Sequence, residues 1–258
     1  MRTKRFLLGT AAFICAAVLL TMQLHCRANE NSSRHAAQDT SLLKNSCVIG
    51  HSHAVGMQMV WDVDEVNYIA EVGLTALGML VQDDFSLPGG GTGGLRAGLS
   101  SRIYDKFYIL LGTNDVLGCE NHLPVFKSHM EELLILIEEY QPKAEICLLS
   151  IAPFGEGFFR YCEINYGLTQ DIMNEYNEAL RDLASDYSID YLDISTVLSN
   201  DEGFLSADYD RGDGLHFNED GYQAILRTML TYLEEKEDAS ERSILSSGLS
   251  GTGTRVAG

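Results

Sequence analysis

Positive charge is scarce in this chain: 18 lysines and arginines face 37 aspartates and glutamates over 258 residues, a formal net charge of −19. Residues 1–28 hold four of the basic residues and no acidic one, so the remainder has 14 basic against 37 acidic residues, a net −23. A phosphate backbone is gripped by a basic field that releases counterions, and no such field exists here, which excludes nucleic acid as a partner. Cysteine is sparse as well. Of six, Cys15 and Cys26 lie near the N-terminus, and Cys47, Cys119, Cys147 and Cys162 lack the paired spacing of a zinc site. Cys47 and Cys147 sit in apolar runs and are expected as buried hydrophobes. Cys119 and Cys162 fall in loop-like sequence and are the pair an oxidising compartment would join. The glycine-rich run 89–94 lacks the strand-then-helix setting of a phosphate loop and reads as a flexible connection near the mouth of a site. A long apolar lid segment is also missing.

One long apolar run is present, over residues 6–24. Arg2, Lys4 and Arg5 precede it and a polar stretch follows from Arg27, the layout of an export signal. The run is just long enough to span a bilayer, so removal by a peptidase and retention as a membrane anchor both fit. Either way the protein is expected outside the cytoplasm, secreted or held at the surface. Residues 29–45 read as a polar linker, 46–236 as one folded domain, and 237–258, Ser- and Gly-rich from Ser243, as a disordered tail. Oligomeric state leaves no mark in the sequence.

Within the domain, strand and helix signals alternate. Short apolar runs at 46–49, 68–72, 106–111, 145–151 and 189–193 read as buried strands. Residues 126–140 carry helical periodicity, with Met130, Leu133, Leu134 and Ile137 on one face. Residues 170–187 and 220–235 repeat the pattern. Strands alternating with such helices imply βαβ units, hence an α/β fold whose parallel sheet is covered on both faces. Ligands in that architecture lie beyond the carboxyl ends of the strands.

Polar blocks sit at those ends. The first strand runs into Gly50-His51-Ser52-His53, where Ser52 opens a helix and can be a nucleophile with its own N–H aimed at an oxyanion, or simply a helix cap. The second ends near Gly73, a candidate N–H donor or an ordinary turn residue. The third ends in Gly112-Thr113-Asn114-Asp115, where Asn114 can donate an amide N–H or form an Asx turn. Asp213-Gly214-Leu215-His216 puts a carboxylate three residues before a histidine, the spacing of a general base and the group that orients it. Each block alone fits a turn; together they set a serine, two donors and an Asp/His pair on one rim. The neighbouring His51 and His53 lack the Cys, Asp or Glu companions of a metal site. Gly50-His51-Ser52-His53-Ala54 also lacks the second glycine of an α/β-hydrolase nucleophile elbow.

These blocks resemble those of the SGNH hydrolase superfamily, the GDSL-type lipases and acylhydrolases, most closely their exported bacterial members. The likeness covers residues 46–233 and rests on Tyr104-Asp105-Lys106 leading into Gly112-Thr113-Asn114-Asp115, and on Asp213-Gly214-Leu215-His216-Phe217 followed by Tyr222. It implies a three-layer α/β/α sandwich around a five-stranded parallel sheet, flavodoxin-like in outline. It also implies Ser52 as nucleophile, His216 as base and Asp213 as its orienter. The N–H groups of Ser52 and Gly73 and the Asn114 side chain would form the oxyanion hole, with Gly78 the alternative to Gly73. No cofactor or metal is called for. His51 departs from the family's Asp at that position, and as a tolerated replacement it would perturb the nucleophile loop without removing catalysis.

The expected activity is hydrolysis of short-chain carboxylic esters, on small molecules or on extracellular polysaccharide. Two alternatives share the residues: a surface carbohydrate- or peptide-binding protein impaired in catalysis by His51, and an O-acyltransferase that passes the acyl group to a sugar hydroxyl.

Overall fold

The computed structural model of the protein describes residues 40–249 except 62, 64–65 and 119–122, with side chains as far as 243. Residues 1–39 and 250–258, and with them the export segment and most of the linker, lie outside that description. Among the described residues no helix is long and apolar enough to cross a membrane.

Five parallel strands form the central sheet: β1 (Ser46–Gly50), β2 (Val66–Ala70), β5 (Lys106–Leu110), β6 (Glu145–Leu149) and β7 (Asp190–Leu192), in the order β2-β1-β5-β6-β7. All five residues of β1 are buried, because this strand lies inside the sheet and feeds both faces. Cys47 and Ile49 join one core with Ile69, Phe107, Ile109 and Leu148, while Val48 joins the other with Tyr108, Leu110 and Leu149. Period-two alternation of apolar residues on a strand covered on both sides has this outcome. Cys147, as expected, is a buried free thiol like Cys47.

Helices close both faces. α1 (Ser52–Val60) and α9 (Glu219–Leu249) contribute Met57, Tyr222, Ile225 and Met229 to one core. α5 (Leu123–Tyr140) and α7 (Gln170–Asp186) contribute Met130, Leu133, Ile137, Met173 and Leu180 to the other. The result is the three-layer α/β/α sandwich. The chain passes from β1 outward to β2 and then returns across β1 to β5, so the switch in winding direction falls between β1 and β5. Open α/β sheets bind ligands at that point, and the loops carrying Ser52 and Asn114 flank it.

Four features depart most from expectation. β2 ends at Ala70, two residues early, because its ladder is locked to β1 from Ser46↔Val66 to Gly50↔Ala70; Gly73 therefore stands in the following turn. The last turn of the expected linker is folded: Thr40–Leu43 form a 3-10 helix and Leu43 is fully buried. α9 continues through 237–249, where a disordered tail was expected. Lys236, just before this stretch, bonds Glu145 and Asp190 at 2.9 and 2.6 Å, and within it Arg242 pairs with Asp238 one turn earlier at 3.6 Å. Finally, Cys162 is not in a loop but lies fully buried and free on α6 (Glu156–Tyr166); its expected partner Cys119 is outside the described residues.

The glycine-rich run belongs to a small hairpin, β3 (Phe85–Ser86) with β4 (Thr92–Gly93), whose turn places Gly89, Gly90 and Gly91 at positive φ. Gly94 then caps α3 (Leu95–Ser100), packed close to Gln82 and Asp83.

Candidate active site

β1 delivers Gly50 to the carboxyl edge of the sheet with no room for a side chain. A Cβ there would stand 2.7 Å from the Leu110 carbonyl oxygen and 2.9 Å from Ala54 Cβ. His51 follows in extended conformation as the N-cap of α1, its Nδ1 accepting the His53 N–H at 3.3 Å. The imidazole thus does the capping that a carboxylate or hydroxyl usually does. Ser52 is the first helical residue, so its N–H is one of the groups that no helical carbonyl can accept.

From the other end of the chain, the loop before α9 folds around its own carboxylates. Asp210 Oδ1 accepts the N–H groups of Gly212 and Gly214 at 2.7 and 3.0 Å. Asp213 Oδ1 accepts those of Leu215 and His216 at 2.9 and 2.7 Å. Gly214 adopts φ +72, a conformation glycine holds without strain, and its carbonyl takes the Gly155 N–H at 2.8 Å. This loop carries His216 to the serine. His216 Nε2 is 3.1 Å from Ser52 Oγ, and His216 Nδ1 is 2.9 Å from Asp213 Oδ2. With Nδ1–H donating to the carboxylate, Nε2 is left as the acceptor facing the hydroxyl. His216 is 6% exposed. Burial alone would raise the Asp213 carboxyl, but hydrogen bonds from the His216 ring, the His216 N–H and the Leu215 N–H hold it well below the usual carboxylate range.

The loop after β5 brings the third block. Gly112 sits at φ +118, and a Cβ there would meet Ile151 Cδ1 at 2.5 Å. Asn114 and Asp115, on the short helix α4 (Thr113–Val116), both reach back to the turn after β2. Asn114 Nδ2 donates to the Leu74 carbonyl at 2.9 Å, which leaves the second N–H of the amide free of that bond. The Asp115 carboxylate accepts the Ala76 N–H, at the start of α2 (Ala76–Val81), at 3.1 and 3.2 Å. Burial raises the Asp115 carboxyl to about 6, against the pull of the N–H groups of Ala76, Asp115 and Gly112. Gly73 stands in that pinned turn at φ +78, exposed, with nothing within 4 Å of where a Cβ would be. Gly78 is not a donor to the same space, since its N–H is taken by Thr75 Oγ1 at 3.0 Å.

The structure therefore brings Ser52, His216 and Asp213 into one hydrogen-bonded line and pins Asn114 and the Gly73 turn beside each other. The part the sequence did not reveal was Asp115; its only signal was a carboxylate directly after Asn114. The packing of His53 leaves no signal in the sequence either. Among the described residues no group of three or more His, Cys, Asp or Glu is set to hold a metal ion.

Residues 49–224 match the model of the GDSL-like Lipase/Acylhydrolase family, about two thirds of the chain and every residue of the site. The chain belongs to this family. A multidomain esterase of Ruminococcus flavefaciens is 29% identical over 60% of the chain, which spans only 20% of that relative's length. A GDSL-like lipase from Bacteroides thetaiotaomicron superposes with a TM-score of 0.57 at 16% identity, covering 78% of this chain and 93% of that one. An acetylxylan esterase from Geobacillus stearothermophilus gives 0.53 at 14% identity, covering 74% and 94%. At such identities the two structures speak to the fold.

Proposed function

We propose that the protein is a serine esterase that cleaves short-chain carboxylic esters through an acyl-enzyme. The observation that carries this reading is the continuous line Ser52 Oγ–His216 Nε2–His216 Nδ1–Asp213 Oδ2, with links of 3.1 and 2.9 Å, at the switch point of a family-matched sheet. In the forward step Ser52 Oγ attacks the ester carbonyl while His216 Nε2 takes its proton. Asp213 stays ionised and stabilises the imidazolium. The oxyanion is held by the N–H groups of Ser52 and Gly73 and the second N–H of Asn114, each such donor contributing roughly 3 kcal/mol to lowering the barrier. His216 then returns its proton to the departing alcohol, and water repeats the sequence on the acyl-enzyme with the same groups.

His51 is compatible with this chemistry. It caps the nucleophile helix as an acceptor, and burial, then the nearby His216, lowers its pKa to about 3, so it stays a neutral ring beside the base. That favours the esterase over a catalytically impaired binding protein. The lack of an apolar lid segment supports small acyl groups, and the basic residues ahead of residues 6–24 support export, with the ester carried by extracellular carbohydrate. Purified protein is expected to turn over 4-nitrophenyl acetate. Ser52→Ala, folded by thermal melt, is expected to lose that activity; a mutant as active as wild type would refute the mechanism.

A further inference from the structure

His53 follows the serine directly, and its ring faces the loop of the base. It is completely buried, its Nε2–H donates to the Leu215 carbonyl at 2.9 Å, and the two residues lie 162 positions apart. The ring is held on its other sides too. It lies edge-on to His216, centroids 5.8 Å apart at 86°, and tilted against Phe217 at 4.3 Å. The carbonyl it binds belongs to the peptide unit that ends in the His216 amide. That amide N–H is fixed by Asp213 Oδ1 at 2.7 Å. Both polar ends of the Leu215–His216 peptide are therefore anchored, one by the nucleophile helix and one by the triad carboxylate.

We infer that His53 is a positioning residue: through the Leu215 carbonyl it braces the His216 backbone against the helix that carries Ser52. The inference rests on the esterase reading of the same site. A buried histidine that merely satisfied one nitrogen could bind any nearby carbonyl; this one binds the carbonyl lying between the base and its orienter. Without the bond, the Leu215 carbonyl loses its donor and the peptide is held at its N–H end alone, by Asp213. The imidazole of His216 then rotates away from Ser52 while Asp213 still holds Nδ1. Burial, followed by the neighbouring His51 and His216 rings, keeps His53 well below the usual histidine range, in agreement with a neutral donor that adds no charge beside the imidazolium.

The test compares the full chain with His53→Leu and His53→Gln, whose amide nitrogen reaches about as far as Nε2. Steady-state hydrolysis of 4-nitrophenyl acetate, thermal melting and hydrogen exchange at the His216 amide are measured for each. His53→Leu is expected to lower kcat roughly 10- to 100-fold with KM little changed, and His53→Gln to recover most of that loss. Exchange of the His216 amide should quicken in the leucine variant and return to the wild-type rate in the glutamine variant. If His53→Leu fails to fold, His53→Asn, whose amide is too short to span the gap, takes its place. A leucine variant with wild-type kcat and exchange, or a folded glutamine variant as slow as the leucine one, overturns the brace. A wild-type protein that leaves the ester intact overturns the esterase reading instead, and the amide exchange then decides the brace alone.

Discussion

The carboxylate of Asp115 receives the N–H of Ala76 on both oxygens, at 3.1 and 3.2 Å, and so fastens the loop after β5 to the turn after β2. With the Asn114 bond to Leu74 one residue earlier, it sets where Gly73 stands relative to Asn114. The fastening is made by a half-buried acid whose pKa is raised to about 6 by desolvation. Its unfolded value is near 4, so between about pH 4 and pH 6 the folded state binds more protons than the unfolded chain. This group's contribution to stability therefore falls as pH rises through that window, and is flat above it.

Asp115→Asn keeps an oxygen for the Ala76 N–H and removes the partly desolvated charge. Its melting temperature relative to wild type is expected to be higher at pH 7.5 than at pH 4.5. Thermal melts of both proteins at the two pH values check this; a difference independent of pH would mean that Asp115 does not titrate in the window.

Asp213 works with the opposite sign. Its folded pKa is depressed, so its stabilisation is present above the unfolded value near 4 and lost as pH falls through the folded one. At neutral pH the carboxylate also fixes the His216 tautomer. Asp213→Asn is expected to cut kcat by roughly 10³- to 10⁴-fold on 4-nitrophenyl acetate, with the fold retained. A loss below tenfold would detach Asp213 from the base.

His51→Asp puts a carboxylate next to Ser52, the proposed nucleophile. It can cap α1 as the imidazole does, and its negative charge near His216 favours the imidazolium. Activity is expected to persist, while the acid limb of the kcat/KM profile moves to higher pH. A profile that does not move, or moves down, would show that the charge at position 51 is not felt by the base.

Gly56 tests the packing that supports α1. A Cβ at this position would stand 1.9 Å from the Tyr222 hydroxyl oxygen, and both residues are buried. Gly56→Ala is expected to lower stability by about 1–3 kcal/mol in denaturant melts. An unchanged midpoint would mean that α9 yields freely there.

Much of this was legible in the sequence, for identifiable reasons. The runs around Val48, Ile109 and Leu148 are apolar on both faces, as strands inside a parallel sheet must be, and the helix 123–140 is long enough to display its period. α2 and α3, six residues each, are too short for a period to declare itself, and α6 lies between Gly155 and Gly167, turn residues that make its segment read as a loop. The edge of β2 was misjudged by two residues because Val72 is as strand-like as Val66; the ladder with β1, a tertiary fact, decides. Ser52, Asn114, Asp213 and His216 were visible as residues that chemistry needs at strand ends. Asp115 and His53 act through partners 39 and 162 positions away, which spacing along the chain cannot display.

The central claim is that Ser52 is an activated nucleophile, and a fluorophosphonate reports on that most directly. Incubated with the probe and mapped by peptide mass spectrometry, the protein should take up one equivalent on Ser52, and Ser52→Ala should take up none. A folded wild-type protein that remains unlabelled, or is labelled at another residue, would contradict the account.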